Sequence, residues 1–211
     1  MINLLDKLND SQRDAVIYCD GAQLVIAGAG SGKTRVLTYK IAYLLQQPNL
    51  QLMPWNILAL TFTNKAAKEM KQRVGQIVGQ DLAHALFMGT FHSIFARILR
   101  HESTRLGYTS RFTIYDDADS RSLISTIVKE MGLSDKEYKA SNVLHRIGMA
   151  KNRLITADKY ANEGSIRTLD AQQQMPELYK VYRIYEQRCK MANVMDFDDL
   201  LVNTWTLFYQ F

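Results

Sequence analysis

The sequence predicts an α/β fold, a parallel sheet with flanking helices into which a mainly helical segment is inserted. Three observations carry this. An apolar run, Leu24-Val25-Ile26-Ala27, passes through a glycine-rich turn into an amphipathic stretch. The alternation of apolar strand and amphipathic helix then recurs twice more up to about Arg100, making three consecutive βα steps. From about residue 110 to 193, helical periodicity dominates and strand signal is sparse.

Taken in order, Asn9-Asp10-Ser11-Gln12 opens a short helix whose apolar positions Ala15, Val16 and Cys19 follow helical spacing. Residues 23 to 27 form the first strand. Arg35 to Leu45 places Val36, Leu37, Ile41, Leu44 and Leu45 on one face, a helix that packs back on the sheet. Pro48 and Pro54 bound a loop. Ile57-Leu58-Ala59-Leu60-Thr61-Phe62 is nearly continuous in apolar character, as a parallel strand covered on both faces would be. Asn64 caps a helix running to about Val78, with Ala67, Met70, Val74 and Ile77 inward and Lys65, Lys68 and Lys71 outward. Leu86-Phe87-Met88 is a third strand ending at Gly89-Thr90, and Phe91 to Arg100 is a helix. The character changes around Gly107 to Arg111. In the helical segment that follows, Ser134-Asp135-Lys136-Glu137 reads as a capping box, and Leu178, Val181, Tyr182 and Tyr185 as an apolar stripe. Asp196-Phe197-Asp198-Asp199 starts a last helix with acids at its positive end.

The run Ala27-Gly28-Ala29-Gly30-Ser31-Gly32-Lys33-Thr34 has the order of a triphosphate cradle. Gly28, Gly30 and Gly32 permit backbone angles and close approach that side chains block, so successive N–H groups turn toward phosphate oxygens. Lys33 supplies a point charge for the β and γ phosphates. The Thr34 hydroxyl, in the first helical turn, takes a place on Mg²⁺, while the helix N-terminus adds partial positive charge. The strict pattern has Gly at position 27, where this chain has Ala.

Composition bounds the remaining possibilities. With 211 residues, 47% hydrophobic and 22% charged, there is ample material for a core. The balance of 26 basic to 21 acidic residues, net +5, suits a polyanionic partner and equally plain solubility. Two cysteines, Cys19 and Cys189, make neither a disulfide framework nor a metal cluster. Met1-Ile2-Asn3-Leu4-Leu5-Asp6 has no basic region followed by an apolar run, and no run of about eighteen apolar residues occurs, so the expectation is a cytoplasmic protein.

Three further pieces stand at strand ends or beside the cradle, where open parallel sheets bind ligands. Thr61-Phe62-Thr63-Asn64-Lys65 offers hydroxyl, amide and backbone donors for phosphates and a ring for a base; the plain alternative is a core Phe62 and an Asn64 that only caps. Gly89-Thr90-Phe91-His92-Ser93 repeats the arrangement, with His92 either a DNA contact or a capping group. The Gln12 amide can give and accept hydrogen bonds on an adenine edge, or be an ordinary helical Gln.

Together, Leu8-Asn9-x-x-Gln12-x-x-Ala15-Val16, the cradle, Leu60-Thr61-Phe62-Thr63-Asn64-Lys65-Ala66-Ala67-x-Glu69-Met70 and Gly89-Thr90-Phe91-His92-Ser93 resemble the UvrD/Rep/PcrA type of superfamily-one DNA helicases. Asp196-Phe197-Asp198-Asp199-Leu200-Leu201 is similar to the stretch that precedes that family's acidic box, and Ala27 agrees with the family. The resemblance spans nearly the whole chain in order and spacing.

What it implies is a P-loop NTPase of RecA-like fold, a motor moving 3′ to 5′ on single-stranded DNA at the expense of ATP and Mg²⁺. Its first motor domain would comprise residues 1–110 and 194–211, with a helical accessory domain at 111–193. By this likeness Gln12 reads adenine, the cradle from Ala27 through Gly28, Ala29, Gly30, Ser31 and Gly32 with Lys33 holds the phosphates, Thr34 the magnesium, and Arg35 lies near the base or sugar. Phe62, Thr63 and Asn64, and separately Thr90 and His92, would contact DNA. Basic residues of the insertion, such as Lys151 and Arg153, would touch phosphates or form a solvated face. The family's acidic box and arginines are absent before Phe211. The expectation is therefore an N-terminal piece whose partners are single-stranded and junction DNA and a second motor domain, and which alone neither unwinds DNA nor hydrolyses ATP appreciably. Two other readings stay open: a different P-loop enzyme such as a small-molecule kinase, and a non-catalytic module that uses nucleotide as a switch.

Overall fold

A computed structural model describes residues 4–211; the part of the N-terminal reading that rests on Met1 to Asn3 lies outside them. Contacts divide the described residues into two compact units, one up to residue 94 and one from 95 to 211. The described residues form a mixed α/β, mostly helical structure with two small parallel sheets.

In the first unit, α1 (Asp10–Ile17) begins at Asn9, whose side chain accepts from the Gln12 N–H while the Gln12 side chain accepts from the Asn9 N–H. That reciprocal pair is a full capping box. Gly32 precedes α2 (Lys33–Leu45), two residues earlier than the hydrophobic pattern suggests. Two short 3₁₀ turns at Pro48–Leu50 and Pro54–Asn56 occupy the proline-bounded loop. Strand β1 (Leu58–Thr61) leads into α3 (Asn64–Val78), then α4 (Gln80–Ala85), then β2 (Phe87–Thr90) and α5 (Phe91–Glu102), which runs on past residue 94. β1 and β2 are parallel, with Leu58 opposite Phe87 and Thr61 opposite Thr90. Ile41, Ile57, Ala59, Met70, Val74, Ala83 and Leu86 form the core, so α2, α3 and α4 cover this sheet. The inward set expected for α3 holds in Met70 and Val74, which are buried.

Several expectations fail here. Cys19 lies beyond the end of α1 and is exposed, Leu37 is exposed on α2 and does not join its packed face, and β1 is not covered on both faces, since Leu58 is 47% exposed. Residues 23 to 27 are not a strand: they run without ladder hydrogen bonds, and Leu24 and Ile26 are 85% and 90% exposed. A strand exists only through its neighbours, and the described sheet of this unit consists of β1 and β2 alone. Asn64 is also not the cap of α3. Thr63 is, in extended conformation, its hydroxyl accepting from the Ala66 N–H at 3.1 Å.

In the second unit, β3 (Thr113–Ile114) pairs in parallel with β4 (Val194–Met195), a strand pair the helical reading of this region does not include. Between them lie α6 (Asp117–Glu130), α7 (Ala140–Asn152), α8 (Ala157–Asn162), α9 (Gly164–Gln172) and α10 (Leu178–Met191), and α11 (Phe197–Gln210) follows. The stripe of α10, Leu178, Val181, Tyr182 and Tyr185, is fully buried against Ile124, Ile127, Val143 and Ile147. A second small core, Leu99, Phe112, Met195 and Leu200, packs around the β3–β4 pair. The Ser134 box does not start a helix. The Ser134 carbonyl closes one turn, accepting from Glu137 and Tyr138, and Tyr138 then turns into the core, where its hydroxyl accepts from the Glu177 N–H at 2.9 Å. Asp196 caps α11 as its sequence suggests, paired with Asp199 in a capping box.

Candidate functional site: a glycine loop and two strand ends

The loop between residue 27 and α2 is shaped by glycine. Gly30 and Gly32 have φ of 76° and 88°, where other residues are strained. At Gly28 and Gly30 a Cβ would meet nothing within 4 Å, whereas at Gly32 it would stand 2.7 Å from Gln12 Nε2. Close approach of Gln12 thus requires glycine at 32, and its Nε2 donates to the Ser31 carbonyl at 3.0 Å. The adenine-reading candidate and the loop are thereby fixed together. Ser31 donates its hydroxyl to the Gly28 carbonyl at 2.7 Å. Lys33 Nζ lies on the loop itself, donating to the carbonyls of Ala27 at 2.9 Å and Gly28 at 2.7 Å.

No side chain caps α2, since Gly32 has none to offer. The N–H groups of the first turn therefore have no side-chain cap, and Lys33 opens that turn, so the segment carries the donor types a polyphosphate needs. Ala29 and Thr34 are exposed on the same loop and first turn. The Thr34 carbonyl accepts from the Thr38 hydroxyl at 2.6 Å. The residues present thus fit a nucleotide's phosphates. For Mg²⁺, Thr34 is the side chain at hand; among the described residues no three His, Cys, Asp or Glu cluster as a metal site. Arg35 lies one residue further on, its guanidinium 5.9 Å from the Tyr39 ring centroid.

The register of β1 and β2 brings the other two candidate segments together. Thr61 and Thr90 are paired, so Phe62 and Phe91 leave the same edge of the sheet, their rings 5.3 Å apart and tilted by 41°. Phe62 is 89% exposed, which removes the reading of it as core. Asn64 is exposed and His92 half-exposed, each in the first turn of its helix. Thr63 spends its hydroxyl on the cap of α3, and Thr90 is buried, its hydroxyl accepting from the Ser93 N–H at 3.3 Å and donating to Ser93 Oγ at 3.0 Å. Those two threonines shape the segments, while the Phe62 and Asn64 side chains are exposed and that of His92 is half-exposed. Gly89 matters by close packing: a Cβ there would meet Ser93 Oγ at 2.8 Å.

In the second unit Lys151 overturns both readings given to it, the phosphate contact and the solvated face. It is 3% exposed, its Nζ 2.6 Å from Asp196 Oδ2 and 2.7 Å from Asp199 Oδ1. Tyr185 donates its hydroxyl to the same Asp196 oxygen at 2.8 Å. Burial alone would strip the charge from Lys151, but the two carboxylates hold it protonated, well above the ordinary lysine value. Burial pushes Asp196 up, and the Lys151 charge overcomes it, so the carboxyl ends below its usual value. Asp199 is pushed up to about 6 by burial, against the opposing pull of Lys151. Burial likewise raises the Cys189 thiol to about 12, an unreactive packing group. Arg153 is exposed.

Sequence reasoning missed Lys40, whose Nζ reaches the Ala15 carbonyl and Gln23 Oε1, both at 3.3 Å, tying α1 and the segment before the loop to α2. It also missed the pairing of Arg35 with Tyr39, although their i, i+4 spacing was a signal.

A glycine loop that opens an uncapped helix, together with two parallel strands that each end in an aromatic and a helix start, defines a mixed α/β protein with an exposed polar and aromatic strand edge. The chain belongs to the UvrD/REP helicase N-terminal domain family, which it matches over residues 8–210. It is 42% identical over 205 residues to ATP-dependent DNA helicase PcrA of Staphylococcus epidermidis and, equally, to ATP-dependent DNA helicase PcrA of Staphylococcus aureus. Each match covers 97% of this chain and 27% of the relative, so the chain spans about a quarter of the length of the relatives it matches. No helix among the described residues is long and apolar enough to cross a membrane.

Proposed function

We propose that the chain is the ATP- and single-strand-binding N-terminal part of a DNA helicase that moves 3′ to 5′. The reading rests on one observation above the rest: Lys33 Nζ lies against the carbonyls of a glycine loop that feeds an uncapped helix N-terminus. There the loop N–H groups and Lys33 hold the phosphates, and Gln12 and Arg35 the base and sugar. Thr34 would take one position on Mg²⁺, which when bound offsets phosphate charge and polarises the terminal phosphoryl group. Phe62 stacks a base, Asn64 and His92 hydrogen-bond to the strand, and Thr63 and Thr90 hold those segments in place. The helices between residues 111 and 193 act as an accessory domain, and junction DNA is the substrate of the whole protein, in the company of a second motor domain. That the named relatives are ATP-dependent DNA helicases supports the reading.

The test is calorimetric titration of ATP with Mg²⁺ into the chain and into Lys33→Ala. Loss of the ammonium group removes a charge-assisted contact to two phosphates, and binding falls below detection at concentrations that saturate the unmodified chain. Equal affinities would overturn the assignment.

A further inference from the structure

Within the second unit, α7, the turn after it, α8 and α9 enclose a small pocket of about 150 Å³. Met149, Ile155, Ile166 and Leu169 give it an apolar lining, and Arg146 and Arg153 add two cations. Met149 and Leu169 are 42% and 44% exposed, so part of that lining is open to water. Outside the lining, Asp170 is buried with both oxygens engaged: Oδ2 accepts from the Tyr160 hydroxyl at 2.7 Å, and Oδ1 pairs with the Arg146 guanidinium. Gln173 Oε1 accepts from a further nitrogen of Arg146 at 3.1 Å. These contacts fix a group that carries five N–H donors, with donors to spare. Arg153, at the end of α7, is exposed, and its side chain has no hydrogen-bond or ion-pair partner among the described residues. No carboxylate of the described residues lines the pocket, so an occupant meets apolar groups and positive charge.

We propose that this pocket docks an acidic segment of a partner protein, with one aromatic side chain seated in the pocket and the flanking carboxylates on Arg153 and Arg146. A space of about 150 Å³ with apolar walls holds one benzene-sized ring. A thioether and a guanidinium beside the ring both favour an aromatic occupant over an aliphatic one. Guanidinium groups also match the planar geometry of carboxylates. The arginines by themselves would suit a nucleic acid backbone as well. The apolar lining decides between the two, because phosphates and sugars bring nothing to cover Met149 and Leu169, whereas a phenylalanine between acids takes that surface out of water. Binding of this kind rests mainly on the buried aromatic anchor, with the charges setting specificity and register. Nothing in it depends on the glycine loop or on a bound nucleotide.

The experiment is fluorescence anisotropy with the whole chain and a short peptide that places one phenylalanine between pairs of glutamates, its dye on a glycine-serine spacer, at about 150 mM salt. The peptide binds, and replacing its phenylalanine by alanine, or its glutamates by glutamines, weakens binding about 10-fold or more in each case. Arg153→Glu weakens the unaltered peptide about 10-fold or more, because like charges then meet. Leu169→Asn weakens it too, and has little further effect on the peptide that already lacks the ring. Absence of binding at about 1 mM peptide, or an affinity indifferent to the ring or to Arg153→Glu, would refute the docking site. Displacement of the peptide by a short DNA duplex, with the ring making no difference, would assign the arginines to a phosphate backbone and refute it equally. Arg153 and Leu169 are exposed, so the fold should survive, as thermal melts will report. Should Leu169→Asn not fold, Met149→Gln removes another exposed part of the apolar lining and is read by the same comparison.

Discussion

Truncating Phe62 to alanine tests the strand-binding edge with little collateral damage. The ring is 89% exposed and touches Phe91 at a centroid distance of 5.3 Å, so its removal opens no internal cavity. The stability change should stay within about 0.5 kcal/mol, as for surface substitutions generally. A base stacked on an aromatic ring contributes about 1 to 3 kcal/mol, which is about 5- to 160-fold in affinity. Fluorescence anisotropy with a labelled oligo-dT of about 16 nucleotides measures this. The titration is run at about 50 mM and about 200 mM salt, since binding in this chain is expected to be weak and salt-sensitive. The ring carries no charge, so the Phe62→Ala line runs parallel to the unmodified one, displaced to weaker binding. An unchanged affinity would refute the stacking role. A changed salt slope would show that the loss came from disturbed phosphate contacts and would refute it equally.

Replacing Lys151 by methionine leaves two carboxylates buried without their cation, at a cost of about 3 to 5 kcal/mol. The thermal midpoint followed by circular dichroism falls by about 10 °C or more, and a further Asp199→Asn change recovers part of the loss; an unmoved midpoint would show that the buried ion pair contributes nothing. Asp199 has its folded value raised to about 6, above the unfolded value near 4, so its protonation contributes stability that is fully present at the lower value and lost as pH rises through the higher. The midpoint of the unmodified chain should therefore gain on that of Asp199→Asn as pH falls from about 7 to about 5, and a gap moving the other way would contradict the assignment.

Much of the structure was legible because it is written locally. The helix start at Asn9, the glycines before Lys33 and the spacing of Leu178, Val181, Tyr182 and Tyr185 each act within one or two turns. What escaped depends on partners distant in sequence. The apolar run 23 to 27 has a strand's composition, yet composition cannot supply a neighbouring ladder. Thr63 and Asn64 are both good caps, and only the extended conformation of Thr63 decides between them. Ser134-x-x-Glu137 has the letters of a box, but Tyr138 is drawn into the core before a helix propagates. Lys151 reads as one more surface lysine until its two carboxylates arrive from 45 and more residues away. At the candidate site, the loop and both strand ends were readable as segments. Their adjacency through the Thr61–Thr90 register was not.

The parallel pairing of β3 with β4 has a consequence for the chain as a whole. Thr113 donates its N–H to the Asn193 carbonyl at 3.0 Å and Tyr115 to that of Met195 at 2.9 Å, while Thr109 and Asn193 exchange two further hydrogen bonds. Outgoing and returning legs of a long helical excursion are thus stapled at its root. Whatever lies beyond the staple can grow, shrink or be exchanged without altering the separation of the two legs. Such an arrangement lets one part of a protein be remodelled by insertion and deletion while the rest keeps its dimensions.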